Sequence, residues 1–334
     1  MRSAHRVALV AVVVGLLWAA CFAGAARASV DYGSASFVDA RHGWVAGIDS
    51  ATSRTEVWRS SNGGASWIKA GSSLAAGGGV GWVAFVSRTT GVWGNGSLLR
   101  TTDGGDSWEL TSSVDLGIVN EVDFAGDQVG WAACSFGSSQ SGGAIAATTD
   151  GGVTWKTQKA LPGADGSGGF SDVSSPSTER CYALKWGAGE GVWATEDGGS
   201  EWALRPLPHI AGGQFTSYWD IDFPTGTTGW AVGDAGTILK TSDGGATWTK
   251  QASGVSAQLT ALDFVTARVG FAVGSNGRIL RTRDGGSHWV KLTSGTQKRL
   301  SAVCFVDASH GWVVGSSGAR LRTLDGGRTW TGQH

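Results

Sequence analysis

The stretch Thr241-Ser-Asp-Gly-Gly-Ala-Thr-Trp248 recurs seven times, with the copies ending at Trp67, Trp108, Trp155, Trp202, Trp248, Trp289 and Trp330. A repeat period of about 40 to 50 residues marks an architecture whose units bury their apolar faces against neighbouring copies. Each copy describes a tight turn. A Ser or Thr stands two residues before an acid that can accept hydrogen bonds from its own loop, and the Gly pair supplies positive φ without steric cost. The Trp then opens the next strand and pins the turn to the sheet with a large buried ring. Asp103, Asp150, Asp197, Asp243, Asp284 and Asp325 fill the acidic position. Asn62 replaces them in the first copy, keeping the acceptor and losing the charge. We read all seven as folding staples rather than catalytic groups.

Between the turns each repeat holds four short segments of β-branched, aromatic and alternating character, as in Leu259–Phe264, Gly270–Val273, Arg278–Thr282 and His288–Leu292. No useful length carries the 3.6-residue period of an amphipathic helix. The repeats align on a first-strand Phe (Phe37, Phe85, Phe124, Phe223, Phe264, Phe305), with Val173 expected in its place in the fourth. A second-strand aromatic follows Gly at Trp44, Trp131, Trp230, Phe271 and Trp312, and Trp93 and Tyr182 are expected at the same place. The pattern predicts an all-β chain, a seven-bladed β-propeller of four-stranded antiparallel blades. Expected blade limits are 30–72, 73–114, 115–160, 161–208, 209–254, 255–295 and 296–334, forming one domain over 29–334. The 55 glycines are then turn chemistry, and most of the 18 tryptophans are core. Only Thr331–His334 follow the last motif, so blade seven has a short outer strand at most. Residues 30–36 either add a strand there or begin blade one.

The first residues read as an export signal. Met1–Arg6 is basic, Val7–Ala20 is apolar, and Ala26-Arg-Ala28 offers a cleavage site before Ser29. We expect a signal peptide over 1–28 and a secreted or cell-envelope location, periplasmic or lumenal where the host has such a compartment. A lipid anchor at Cys21 is the lesser alternative, because Trp18 stands where Leu or Val is expected. Removing residues 1–28 takes three of the 26 basic residues and none of the 27 acids, leaving a net charge of −4. Such a chain is no basic nucleic-acid binder. Cys134, Cys181 and Cys304 remain, in three different repeats; a Cys134–Cys181 disulfide is one arrangement, but sequence does not set their separation. Without a CxxC or a His/Cys cluster we expect no metal site and no cofactor.

The repeat GWAVGDAGTILKTSDGGATW (Gly229 to Trp248) resembles that of the photosystem II stability/assembly factor family. The resemblance covers essentially the whole mature chain at the level of repeat pattern. It implies a seven-bladed propeller outside the cytoplasm that serves a protein assembly through an arginine-rich surface. The Asp-Gly-Gly-x-Thr-Trp turn itself is also similar to turns of sialidases, xyloglucan-degrading glycosidases and sortilin-type receptors, so it specifies fold and not function.

Two faces follow from the strand order. The motif turns lie on the face formed by loops between strands one and two and between strands three and four. The insertions Ile48–Thr55, Ser135–Gly143, Lys156–Gly169 and Leu204–Ser217 lie on the other face, as binding loops of repeat proteins do. Around them, blades three to five are the expected contact region, with Phe215, Tyr218 and Trp219 beside His209 as exposed aromatic anchors. On the motif face, Arg59, Arg100, Lys240, Arg281 and Arg322 precede the motif Ser or Thr, where blades three and four carry Ala147 and Ala194. With Arg283 and Arg328 nearby they form a basic arc suited to an acidic protein segment. The competing reading has each cation stacking on a Trp or pairing with the adjoining blade. Asp123, Asp172, Asp222 and Asp263 precede the first-strand Phe or Val173, against Ser36, Ala84 and Cys304 elsewhere. They could ring a Ca²⁺, but we read them as ties between blades.

Enzyme chemistry finds little to work with. A sialidase needs a three-arginine clamp and a Tyr nucleophile, whereas the only tyrosines are Tyr32, Tyr182 and Tyr218, and Tyr182 holds a repeat core position. A glycosidase needs two carboxylates across a cleft, but Asp220 with Asp222, or Glu121 with Asp123, alternate along one strand. We therefore expect an exported, non-enzymatic, monomeric scaffold or assembly factor whose partner is a protein, with a membrane or envelope complex as a candidate and a glycan as a further one. The alternative is a carbohydrate-active propeller, sialidase-like or another glycosidase or glycan-binding protein. A purely structural surface protein, the third reading, would have no stable partner.

Overall fold

The computed structural model describes residues 30–71, 81–94, 97–113, 116–136, 142–161, 168–187, 190–208 and 217–332. They form seven antiparallel sheets of consecutive strands, each running from an inner to an outer edge, and together a seven-bladed propeller. The signal-peptide and lipid-anchor expectations fall outside these residues. Val30–Phe37 is the inner strand of blade one, which settles the two options left open for it. The outer strand of blade seven is the two-residue Thr331–Gly332. Blade three gains a fifth strand, because Ser112–Ser113 runs on from blade two and pairs in parallel with Thr154–Trp155.

Ring closure is made by side chains. Phe37 of blade one stacks on Trp312 of blade seven at 3.6 Å between ring centroids, and the Trp312 indole donates to the Gly63 carbonyl at 2.9 Å. The same stack joins Trp44 to Phe85, Tyr182 to Phe223, Trp230 to Phe264 and Phe271 to Phe305. Within a blade, the motif Trp then meets the first-strand Phe edge-on, as Trp248 meets Phe223 at 5.9 Å. Stacked pairs of this kind add about 0.5–1.5 kcal/mol each beyond the area they bury.

Strand register corrects three alignments. In blade two Val92, not Trp93, holds the second-strand aromatic position, because Val92 faces Ala84 as Trp312 faces Cys304. Trp93 turns the other way, onto Trp108. In blade four Ser174 faces Tyr182, so Ser175 and not Val173 stands where the other blades have Phe. Asp172 is accordingly the counterpart of Asp220, two residues before the Asp222 position.

The missing Phe explains a missing Gly. A Cβ on Gly43, Gly229, Gly270 or Gly311 would lie 2.2 to 2.5 Å from the ring of the first-strand Phe opposite. Blade four has no ring there and tolerates buried Cys181. Gly270→Ala should therefore cost about 1–3 kcal/mol through overpacking, and most of that cost should vanish when Phe264 is already replaced by Ser, the residue of blade four; an equal fall of the urea midpoint in both backgrounds would refute the pairing.

Candidate interaction face

On the motif face the seven turns share one hydrogen-bond scheme. In blade five the Thr241 hydroxyl donates to Asp243 Oδ1 at 2.8 Å and accepts the Gly245 N–H at 2.8 Å. Asp243 also accepts the Thr247 N–H at 2.9 Å and the Thr247 hydroxyl at 2.6 Å. These bonds stabilise the anion. The Thr247 hydroxyl, then the Thr247 amide, bring the Asp243 carboxyl down to about 2. Asp284 and Asp325 are brought to about 2 as well, led by the His288 and Thr329 amides. Asp103 lies lower still, held chiefly by the Ser107 hydroxyl, and Asp150 and Asp197 shift the same way. Asn62 keeps the scheme without the charge: Oδ1 accepts the Ser66 N–H at 2.9 Å, and Nδ2 donates to the Ser66 hydroxyl at 2.8 Å.

The basic arc sits on the seams. Each cation reaches the first motif Gly of the next blade and donates to its carbonyl: Arg59 to Gly104 at 3.3 Å, Arg100 to Gly151 at 2.8 Å, Lys240 to Gly285 at 2.9 Å, Arg281 to Gly326 at 2.7 Å and Arg322 to Gly63 at 3.1 Å. Where blades three and four have Ala147 and Ala194, the outer strand supplies the donor. Gln158 reaches Gly198 at 2.8 Å, and Arg205 reaches Gly244. Sequence reasoning missed these two, because they stand on a different strand from the other five. All five arc cations are half-buried. Each arginine tie engages part of a guanidinium with five donors.

The arc is not uniform in charge. Arg59 pairs with Asp106 at 2.6 Å and Arg205 with Glu196 at 2.8 Å. Among the described residues Arg100, Lys240, Arg281 and Arg322 have no such carboxylate partner. Around Arg281 the cations accumulate: burial, then the charges of Arg283 and Arg328, push its guanidinium down from its ordinary value. Arg283 and Arg328 are exposed, as are Val290 and Leu324. This is a cationic surface with apolar neighbours at blades six and seven.

The insertion face departs from expectation. Tyr218, expected as an exposed anchor, is 4% exposed and belongs to the core, its hydroxyl donating to the Pro208 carbonyl. The inner strand Tyr218–Asp222 starts at that residue, so its ring turns into the blade. Trp219 is half-buried and donates to Asp234 at 2.8 Å. Phe215 and His209 lie outside the described residues. Trp186, which the sequence reading did not single out, is 48% exposed on this face at the end of Arg180–Lys185.

The inner-strand aspartates proposed for chemistry are ties. Asp123 accepts the Ser175 N–H at 2.6 Å, Asp220 the Leu262 N–H at 2.7 Å, and Asp222 and Asp263 the amides of Phe264 and Phe305. Asp172 accepts the Ile221 amide. Each bond crosses to the next blade, where Ser36 does the same for Phe85 at 2.9 Å. Among the described residues no cluster of His, Cys, Asp and Glu has the grouping to hold a metal ion. Cys134, Cys181 and Cys304 are buried, and no disulfide joins Cys134 to Cys181.

Acid should loosen the motif turns. Their carboxyl values are depressed on folding, so the stability they add is full above the unfolded value of about 3.9 and is lost as pH falls through the folded value of about 2. Asp325→Asn, which copies the working turn of Asn62, should flatten the fall of the urea midpoint between pH 4 and 2 (about the unfolded and folded values). An unchanged slope would show that these turns do not govern acid lability.

The family model described as "Photosynthesis system II assembly factor YCF48" matches residues 286–334. No curated protein matches the sequence significantly. Among solved structures, "YCF48 bound to D1 peptide" superposes with a TM-score of 0.69 at 20% identity, covering 89% of this chain and 94% of that one. YCF48 from Cyanidioschyzon merolae gives 0.67 at 19%, covering 89% and 96%. An ancestral GH74 enzyme gives 0.66 at 15%, covering 92% of this chain but 46% of its own. In its last blade by sequence, and around the ring by fold, the chain is similar to the photosystem II assembly factor family.

Proposed function

We propose that this chain is an exported, non-enzymatic propeller that binds an acidic segment of a protein partner during assembly of a membrane or envelope complex. The observation that carries the reading is the cationic surface at blades six and seven. There Arg283 and Arg328 stand close enough to act on the charge of Arg281, on a chain whose net charge is −1. Like charges gathered on one surface raise the local potential and favour an anionic partner. The family match falls on the same region, since residues 286–334 include Arg322 and Arg328. The name of one structural neighbour records a peptide complex, which supports a peptide-binding role for this fold.

The glycosidase alternative has fold likeness in its favour, but Asp220, Asp222 and Asp123 among the carboxylates offered for it are engaged between blades. The test separates the two readings. Arg283 and Arg328 make no seam bond, so Arg283→Glu with Arg328→Glu should fold as wild type yet bind D1-derived or other acidic peptides at least about tenfold more weakly, with wild-type affinity falling as salt rises. Unchanged affinity in the double variant would move the site to the insertion face. Hydrolysis of xyloglucan or aryl-sialosides by the wild type would overturn the non-enzymatic reading.

A further inference from the structure

Asn62 breaks the Asp pattern and is followed by Gly63, the dipeptide in which an asparagine side chain is most open to attack by the next backbone nitrogen. Asn62 is exposed, whereas Gly63 is buried and bonded on both sides. Its N–H donates to the Arg41 carbonyl at 2.8 Å. Its carbonyl accepts the Trp312 indole at 2.9 Å and Arg322 Nη1 at 3.1 Å, and both donors come from blade seven. The residue whose nitrogen would react is thus the one whose carbonyl closes the ring, and the carbonyl of the reacting Asn62–Gly63 peptide itself accepts Arg322 Nη1 at 3.4 Å.

We propose that Asn62 is a latent deamidation site held off by ring closure, so that its conversion records opening of the seam between blades seven and one. In the reaction the Gly63 nitrogen bonds to Asn62 Cγ, the Cγ–Nδ2 bond breaks, and Nδ2 leaves as ammonia with the displaced proton. Water then opens the succinimide at either carbonyl, giving aspartate or isoaspartate. In the closed ring the Gly63 N–H is engaged, and its carbonyl is anchored on the far blade. The side chain is pinned too, with Oδ1 accepting from Ser60 and Ser66 and Nδ2 donating to Ser66. Forming the succinimide requires those bonds to break together.

The two products differ in consequence. Aspartate gives the first turn the charge that the other six already carry. Isoaspartate adds a methylene to the backbone just before Gly63 and moves the closing carbonyl away from Trp312 and Arg322. Conversion is therefore either a completion of the motif or a lasting loosening of the seam.

The experiment follows Asn62 by peptide mass spectrometry and isoaspartate labelling while the mature protein ages at neutral pH. Arg322→Ala removes one closing donor, and Arg100→Ala removes the equivalent donor between blades two and three. Arg322→Ala should speed conversion of Asn62 about tenfold, the worth of a charge-assisted bond in the open population. Arg100→Ala should leave the rate within about twofold of wild type, because opening there is a separate local event. Asn276-Gly277, a turn away from the closing seam, serves as internal reference and should not respond to Arg322→Ala. Equal acceleration by both variants, or none by Arg322→Ala, would overturn the proposal.

Discussion

One carbonyl per blade holds the ring together. The first motif Gly donates its N–H to the turn between strands one and two of its own blade, as Gly285 does to Arg268, and offers its oxygen to the blade before. The second Gly returns its N–H to the Ser or Thr that begins the motif. A positive φ at both glycines, 69° and 86° in Gly285 and Gly286, is what lets one residue serve two blades. The repeated Asp is thus two steps removed from the seam. It shapes the turn, the turn aims the carbonyl, and the carbonyl receives the cation.

The seam donors were legible in part. Arg59, Arg100, Lys240, Arg281 and Arg322 share one strand position, so a positional scan finds them, and their double use as tie and surface charge follows from geometry. Gln158 and Arg205 reach the same acceptor from the outer strand, three residues after the motif Trp, where Gln251 also donates to Gly285. That second column carries Ala70, Thr111 and Leu292 in other blades, so residue type alone does not expose it. The inner carboxylates behaved similarly. Asp222 and Asp263 are legible as a column, but Asp172 slipped by two residues because blade four has lost the Phe on which the column was aligned.

That slip has a compensating partner. Phe and the Gly across from it form one packing unit, and loss of the ring at Ser175 releases the constraint at Cys181. Reading either residue alone gives a degenerate repeat. Reading them together gives a blade with a different solution, in which Asp123 bonds both the Ser175 amide and its hydroxyl. The aromatic anchors failed for a simpler cause. Tyr218 looked like a loop residue because a long linker precedes it, but an inner strand begins with its ring already turned inward.

A ring of seven near-identical units faces a counting problem. Any inner strand with Asp before Phe would fit after almost any blade, so a folding chain could skip a unit and close early. The joint between blades three and four works against this. With Ser175 where other blades carry Phe, Trp131 bonds Gln158 instead of stacking on a ring, and Asp123 takes the Ser175 hydroxyl as well as its amide. An inner strand carrying Phe offers no such hydroxyl, so this joint marks one position in an otherwise repetitive ring.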